Sequence, residues 1–524
     1  MQLGQHRAPS IPIWCSFILA CCIFVLPGCS DRSQDAAQNA ALAQQALTSD
    51  NLPAARAAIA EAIADRDDVV DYHLLRGRIE LALGSASAAF DAYSDALALD
   101  STNGEALLAV AQLGLSTGHL RESLEATERV LVLAPNQQDA LLVRGIHSIV
   151  KRNYPEAIEY GDKILAASPG HVGGTILKAR ALFMSREHDE ALRTLQEISS
   201  DAAASEPVAR TRLEIYRALR RPAEMAAQFE GLRDLRPDDL ALRIDEANFR
   251  FKQNDRRQAH RLIEEVLANP AADARSAILA VALWHEYGAH DLSGHTLERI
   301  DRDANVAARV VLARFLIEQG RAAEAARTLT TLPGNVSAGL RARNLLLAGE
   351  AAQAGQLAAQ VLGRDKTDCD ALIAASESAL RLQRPADALR FAQQASSECP
   401  ASSGAWTSAA SAYQSLGRES GVNRVYAQAL DTNKQSSQLT AAYARWLVSV
   451  GRAREAMAMA RRLTRYAPAL LSGWRLYRDL CGRFDRTCMA EAASGLADAQ
   501  SRFGIDVPPG TPPPNGLFGR LDQR

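Results

Sequence analysis

The sequence has few aromatic residues for its hydrophobic content. Aromatic side chains make up 5% of the 524 residues, whereas hydrophobic residues make up 47%. A β-sheet sandwich usually relies on aromatic and β-branched residues, while alanine-rich helices pack closely through small side chains. The composition therefore favours an all-α fold.

The sequence also lacks an excess of either positive or negative charge. The chain carries 59 basic and 61 acidic residues, which leaves a formal net charge of −2. A general nucleic-acid-binding protein usually has a basic surface. We therefore expect a mixed, solvated surface and no nucleic-acid partner.

Motifs for catalysis or metal binding are absent or incomplete. Residues 114–118 match the Gly-x-Ser-x-Gly hydrolase pattern, but that motif needs a strand before the serine, and here a helix ends. Residues 148–151 have the Ser-x-x-Lys spacing without a companion motif. His285 and His290 are five positions apart, whereas the helical zinc site needs a spacing of four. We predict a non-enzyme that binds no cofactor and no metal.

Residues 1–29 have the pattern of a signal peptide, with Arg7 before an apolar run at residues 11–26. The run is shorter than the ~20 residues that a membrane-spanning helix needs. Leu26-Pro27-Gly28-Cys29 resembles the bacterial lipobox, whose cysteine is acylated and becomes the mature N-terminus. The alternatives are an uncleaved anchor and an ordinary secretory signal.

This resemblance implies a lipid on Cys29, a membrane partner and a location in the bacterial cell envelope, facing the periplasm. Ser30 is similar to the default signal for the outer membrane, whereas an aspartate is usual for inner-membrane retention. The outer membrane is therefore weakly favoured over the inner. We assign residues 30–35 to a short polar tether.

The same residue pattern recurs at every thirty-fourth position, without insertion, from Ala36 to Asp273. Each period predicts two helices, such as Tyr72–Leu83 and Ser87–Leu99, joined at Gly84. A period of this length indicates a solenoid in which each unit buries its apolar face against its neighbours. One position of the period holds mainly small residues: Ala55, Ala89, Ser123, Ala157, Ala191, Met225 and Ala259.

The pattern resembles the tetratricopeptide repeat. The match includes the small eighth residue (Gly77, Ala111, Gly145, Ala179), the small twentieth residue and the proline at position thirty-two (Pro135, Pro169, Pro237). The resemblance implies an all-α solenoid, a right-handed superhelix of antiparallel helix pairs. We expect about thirteen or fourteen units.

The repeats form two phased blocks, seven units over residues 36–273 and four over residues 369–502. Residues 274–368 are seven short of three full repeats, and we favour degenerate repeats there over a joint that redirects the superhelix. Residues 503–524 form a proline-rich tail. It is either a frayed end or a docking peptide with Leu517 and Phe518 as its apolar anchors.

The cysteines outside the leader form two local sets. Export predicts an oxidising compartment, where disulfides persist. Cys369 and Cys399 lie at the same end of one unit, and Cys481 and Cys488 lie on opposite sides of the last turn. We predict a disulfide within each set.

The family resemblance places the first helix of each unit on a concave face that binds proteins. The fifth position of the unit is mostly aliphatic and the ninth position carries polar residues, which suits an extended peptide or a partner helix. The carboxylate clamp of the chaperone-binding members is absent. Packing between repeats is the alternative role for our candidate binding residues, which are Arg78, Gln112, Arg180, Arg210, Glu214 and Asn248.

Together these resemblances imply a membrane-anchored periplasmic scaffold or adaptor in an envelope assembly, secretion or exopolysaccharide machine. The architecture is also similar to that of repeat lipoproteins associated with exosortase and exopolysaccharide loci. A regulator that activates a periplasmic cell-wall or glycan enzyme is one alternative. A carrier of secreted or unfolded polypeptides is the other.

Overall fold

The computed structural model describes residues 32–198, 205–288 and 294–504. Within these ranges the chain forms 28 α-helices and no strand, so the all-α solenoid is confirmed. The predicted leader with Cys29 and the tail beyond residue 504 lie outside the described residues. The described residues divide into two compact units, a first unit up to residue 147 and a second unit from residue 148.

The first unit is built from three antiparallel helix pairs and most of a seventh helix. The first helix begins at Arg32, so it includes residues that we assigned to the tether. The helices are α1 (Arg32–Thr48), α2 (Leu52–Asp65), α3 (Val70–Ala82), α4 (Ala86–Leu99), α5 (Gly104–Thr117), α6 (Leu120–Leu133) and α7 (Gln138–Val150).

The second unit continues the same alternation. Its helices are α8 (Tyr154–Ala167), α9 (Val172–Met184), α10 (His188–Gln196), α11 (Glu206–Ala218), α12 (Pro222–Leu235), α13 (Leu240–Lys252), α14 (Arg256–Ala268), α15 (Ala274–Tyr287), α16 (Gly294–Asp303), α17 (Val306–Glu318), α18 (Ala322–Thr330), α19 (Gly334–Leu347), α20 (Ala351–Leu362), α21 (Cys369–Arg381), α22 (Pro385–Glu398), α23 (Ser403–Ser415), α24 (Glu419–Thr432), α25 (Ser437–Ser449), α26 (Ala453–Tyr466), α27 (Leu471–Phe484) and α28 (Met489–Ser501).

A residue with positive φ follows the first helix of most pairs and marks the repeat in the backbone. Seven of these residues are glycines, and the others are Asp50, Arg152, Arg186, Arg220, Asn254 and Gln383. Asparagine and aspartate tolerate this conformation better than arginine does, so the turn is imposed by the packing of the pair.

These turns locate the seven residues that the middle segment lacks. Successive turns are one full period apart from Asp50 to Gly288 and again from Gly349 to Gly451. The interval from Gly288 to Gly320 is two positions shorter than a period, and that from Gly320 to Gly349 is five positions shorter. The second helices of the affected pairs, α16 and α18, have only 10 and 9 residues.

Small residues at fixed positions let the helices of each pair approach closely. The Cβ of a residue larger than glycine at position 77 would lie 2.6 Å from the ring of Tyr93, so that contact requires glycine. Ala89 is fully buried on the facing helix. In the second unit a continuous apolar cluster extends from Ile244 to Leu340 and includes residues of both the phased and the degenerate repeats.

Both cysteine sets are bonded. Cys369 and Cys399 join the start of α21 to the end of α22, with Cα atoms 6.0 Å apart. Cys481 and Cys488 join α27 to the turn before α28, with Cα atoms 5.6 Å apart. Among the helices of the three described ranges, none combines the length and apolar character needed to cross a bilayer.

Candidate functional site

In the first unit, the ninth position of the repeat is exposed. Arg78 lies on α3 and Gln112 lies on α5, and both side chains face solvent. The Arg78 Nε atom donates to Glu105 Oε1 at 2.7 Å, and this hydrogen bond raises the pKa of Arg78. Glu105 belongs to the next first helix, so the ion pair joins neighbouring repeats on the candidate surface.

In the second unit, the same position carries residues that are engaged within the chain. Arg180 is buried, and desolvation lowers its pKa to about 10 although the carboxylate of Glu214 opposes the shift. Glu214 Oε1 accepts a hydrogen bond from Arg217 at 2.7 Å, and Arg217 also contacts Asp245 of the following repeat. These residues form an ionic network between repeats.

Arg210 is similarly occupied. Its Nε atom donates to Glu206 at 2.8 Å, and an Nη atom contacts Asp239 at 2.5 Å. Burial alone would lower the pKa of Arg210, but the hydrogen bonds to the two carboxylates raise it. The arginine therefore stabilises the contact between α11 and the start of α13.

Asn248 contacts a distant part of the chain. Its Nδ2 atom donates to the carbonyl oxygen of Phe503 at 3.2 Å, and its Oδ1 atom accepts from the Tyr287 hydroxyl at 2.8 Å. The end of the described chain therefore lies over a residue that we predicted to bind a partner.

Further side chains hold this C-terminal segment, which we define as residues 498–503. The Lys252 ammonium donates to the carbonyl oxygens of Ala469, Ala499 and Arg502, the first two at 2.9 and 3.0 Å. Arg220 contacts Asp498 at 2.5 Å and donates to the Ser501 hydroxyl at 2.7 Å.

Two more contacts join α15 to the last repeats. Glu286 accepts hydrogen bonds from the backbone N–H and the hydroxyl of Ser472, the former at 2.8 Å. Burial raises the pKa of Glu286, although the Ser472 hydrogen bonds and the charges of Arg475 and Lys252 act against it. His285 Nδ1 lies 3.1 Å from Gln438 Nε2.

A buried carboxylate at the start of the second phased block links its first repeat to two repeats of the middle segment. The Asp370 carboxylate accepts a hydrogen bond from an Nη atom of Arg314 and another from an Nη atom of Arg343, each at 2.8 Å. Burial alone would raise the pKa of Asp370, but the two guanidinium groups outweigh it and hold the pKa below its ordinary value. The carboxylate is therefore ionised and balances both cations.

The serines of the two sequence patterns that resemble catalytic motifs make ordinary structural hydrogen bonds. The Ser116 hydroxyl donates to the Leu113 carbonyl at the end of α5, and the Ser148 hydroxyl donates to Glu156. His290 lies outside the described residues. Over the parts of the chain that the structure describes, no group of three histidine, cysteine, aspartate or glutamate residues could hold a metal ion.

Our sequence reasoning missed Arg220, Lys252, Glu286 and Phe503. Their contacts join residues 186 to 281 positions apart. A repeat pattern predicts contacts between neighbouring units, so it contains no signal for these distant ones.

Comparisons with known proteins agree on the type of repeat. A family model described as tetratricopeptide repeat matches residues 40–104 and 108–172, and a second model of the same description matches residues 151–213. No curated protein matches the chain.

Several solved structures resemble parts of the chain. A tetratricopeptide repeat protein from Parabacteroides merdae is 19% identical to this chain. The match covers 51% of this chain and 98% of that protein, with a TM-score of 0.39. A thermophilic repeat protein of Thermus thermophilus is 20% identical, with coverages of 34% and 98% and a TM-score of 0.32. Pseudomonas aeruginosa PilF is 17% identical, with coverages of 40% and 95% and a TM-score of 0.32.

Repeats of this family generally act as non-enzymatic scaffolds for protein partners. The structure shows the features of such repeats in the residues that the family models match. The helix pairs are regularly spaced, the turns have positive φ, and the small residues are buried. The chain therefore contains tetratricopeptide repeats over residues 40–104 and 108–213, and such repeats support a role in protein–protein interaction.

Proposed function

We propose that the chain is a lipid-anchored periplasmic scaffold or adaptor that binds a protein partner through the concave face of its first unit. The observation that carries this proposal is the exposure of Arg78 and Gln112. At the same position in the second unit, Arg180 and Asn248 are buried and Glu214 is half-buried.

The chemistry of this surface suits an extended peptide or a partner helix. Arg78 and Glu105 offer paired charges whose side chains are 48% and 39% exposed, and Gln112 offers an amide donor and acceptor. The fifth-position residues Leu108 and Leu142 are half-buried beside them. An apolar floor with a few polar groups is typical of grooves that bind peptides.

The envelope location is supported by two features. Residues 26–29 resemble a lipobox, which would attach Cys29 to a membrane. The Cys369–Cys399 and Cys481–Cys488 bonds suit an oxidising compartment such as the periplasm. An envelope assembly, secretion or exopolysaccharide machine is the setting that we propose.

Site-specific cross-linking in intact cells tests the partner surface. A photo-crosslinking amino acid at Gln112 should capture one protein in a stoichiometric complex. The matched control places it at Glu125, a 62% exposed residue on the second helix α6. Equal capture at both positions would contradict the proposed surface. Many unrelated extended chains at Gln112 would favour the carrier, and a captured glycan enzyme that the purified chain activates would favour the regulator.

The anchor has an independent test. Cys29→Ser removes the proposed site of acylation, so the protein should move from the membrane fraction to the soluble periplasmic fraction. Cys22→Ala is a suitable control because it changes another cysteine of the leader and keeps the run apolar. A Cys29→Ser variant that stays with the membrane would refute lipid anchoring at this residue.

A further inference from the structure

The C-terminal segment is held by a small number of specific contacts on the second unit. Helix α28 ends at Ser501, and the last carbonyls of a helix have no partner within the helix. They also carry the negative end of the helix dipole, which favours a nearby cation. Lys252 supplies that cation, because its ammonium donates to the carbonyls of Ala499 and Arg502 and is only 4% exposed.

An aromatic side chain anchors the end of the segment. Phe503 is 4% exposed, and its ring meets that of Phe249 edge to face at a centroid distance of 5.4 Å. The same apolar cluster includes Leu213 and Leu242, which belong to the first helices α11 and α13. Phe503 therefore fills an apolar site to which α11 and α13, the first helices of two neighbouring repeats, and the second helix α12 between them contribute.

Polar contacts also hold the segment, which both donates and accepts hydrogen bonds. Gln500 donates its side-chain amide to the Lys252 carbonyl, and Arg220 pairs with Asp498. The Cys481–Cys488 bond ties α27 to the turn directly before α28, so the segment belongs to a covalently closed hairpin. The segment thus docks on a set of side chains that we call the cradle, namely Arg220, Asn248, Phe249 and Lys252.

We infer that residues 498–503 are an intramolecular latch, which Lys252 and Phe503 hold over Asn248 and whose release opens the concave face of the second unit to a protein partner. This inference rests on the proposed scaffold function, since it adds a second, regulated surface to the one at Gln112. The closed latch explains why Asn248 contacts the chain itself.

The latch also defines the chemistry of a competing partner. The cradle accepts a chain that offers unpaired backbone carbonyls to an ammonium and an aromatic side chain to an apolar site. A helix end followed by an aromatic residue has both features.

Amide hydrogen exchange of the full-length protein tests the latch without any partner. Lys252→Met keeps the aliphatic length but removes the cation, so amides of residues 489–503 should exchange about tenfold faster or more. Lys178→Met is the matched control, because Lys178 pairs with Asp162 at 2.8 Å in another repeat. Phe503→Ala should produce the same local increase by removing the apolar anchor.

The location of the change distinguishes opening from misfolding. Exchange in α3–α6 and α21–α24 should stay as in the unmodified protein. The residues that hold the segment, such as Lys252 and Phe249, lie outside those helices. If Lys252→Met and Phe503→Ala both leave residues 489–503 as protected as Lys178→Met does, the latch is refuted. Loss of protection throughout the second unit would also refute it, since Lys252 would then be a general stability residue.

Failure of this inference can be separated from failure of the proposed function. Capture of a partner at Gln112 reports on the first unit and does not depend on Lys252. A cross-linker at Asn248 should capture that partner or another protein more efficiently after Lys252→Met than after Lys178→Met. Unchanged capture at Asn248 despite faster exchange would overturn the role of the latch in access.

Discussion

The two units use the same position of the same repeat in different ways. Asn248 lies four full periods after Gln112 in the sequence. Gln112 is exposed in the first unit, whereas Asn248 is 4% exposed and bonded to Tyr287 and Phe503 in the second. Position in a repeat therefore determines which way a side chain points, but a residue far away in sequence decides whether that side chain remains available.

The difference follows from the range of contacts in each unit. In the first unit Arg78 pairs with Glu105, 27 residues later in the adjoining repeat. In the second unit Lys252 binds carbonyls 217 to 250 residues later. Distant repeats can thus cover one another's candidate binding residues, and this unit also contains both disulfides.

The largest effect that we expect is loss of the longer disulfide. Replacing Cys369 and Cys399 by serine frees a loop closed over 30 residues, which should lower stability by about 3–4 kcal/mol in the chain-entropy description. Hydrogen exchange in α21 and α22 measures this loss. Replacing Cys481 and Cys488, which are 7 residues apart, should cost about 2–3 kcal/mol. Comparable loss of protection in α3–α6 would contradict an effect confined to the second unit.

Asp370→Asn should have the next largest effect. The change leaves Arg314 and Arg343 without their shared anion, and breaking a buried ion pair costs about 3 kcal/mol or more. The free energy of local opening in α21, measured by hydrogen exchange at neutral pH, reports the loss. Asp387→Asn in the same repeat is the control, because the Asp387 side chain is 48% exposed and lies 3.7 Å from Arg390.

The effect of Asp370→Asn should depend on pH. The two arginines hold the folded pKa of Asp370 below its ordinary value, so its stabilisation is present above the unfolded pKa of about 3.9. That stabilisation is lost as the pH falls through the folded pKa. The difference between Asp370→Asn and the unmodified protein should therefore shrink in acid. A difference that stays constant from neutral to acidic pH would exclude the ionic explanation.

A pair of equivalent substitutions tests the comparison directly. Asn248→Ala removes hydrogen bonds to Tyr287 and Phe503 and should lower the stability of the second unit by about 1–2 kcal/mol. Gln112→Ala changes an exposed residue at the same repeat position and should stay within about 0.5 kcal/mol. Thermal unfolding and hydrogen exchange measure both. Equal effects would mean that the repeat position alone decides the role.

The smallest expected effect concerns Glu286. Burial raises its pKa in the fold, so folding favours the protonated carboxyl, and this contribution is lost as the pH rises from about 4.5 through the folded pKa. Glu286→Gln keeps an acceptor for Ser472 and removes the buried charge. The variant should gain less than about 1 kcal/mol at pH 7 to 8 and nothing at pH 4.

Thermal midpoints across this pH range provide the measurement for Glu286→Gln. Glu398→Gln, at an exposed position on α22, is the control and should change the midpoint equally little at both ends of the range. A Glu286→Gln variant that is less stable at neutral pH would show that the ionised carboxylate stabilises the fold.

Much of the fold was predictable because repeats encode it locally. The repeat predicts a turn at Gly84, where glycine adopts positive φ without strain, and the observed φ of this residue is +73°. The turns at Arg152, Arg186 and Arg220 could be placed only by counting from that glycine. The loss of two and five residues between Gly288 and Gly349 was not visible, since no sequence feature there shows which helix is shortened.

The candidate site was predictable only as a column of positions. Arg78, Arg180 and Asn248 share the ninth position, yet one is exposed, one is buried and one is covered by Phe503. Burial of Arg180 depends on the residues that pack around it in three dimensions. Nothing in the letters near Asn248 indicates a phenylalanine 255 residues away.

The sequence by itself determined the helical repeat, its period, its turns and the pairing of cysteines close in the chain, because each depends on contacts within a unit or with the next one. Tertiary structure decided which repeats meet at long range and therefore which of the candidate binding residues stay exposed. The physical reason is that small shifts between neighbouring repeats accumulate along a solenoid, so the approach of Lys252 to the end of α28 is set by every unit between them.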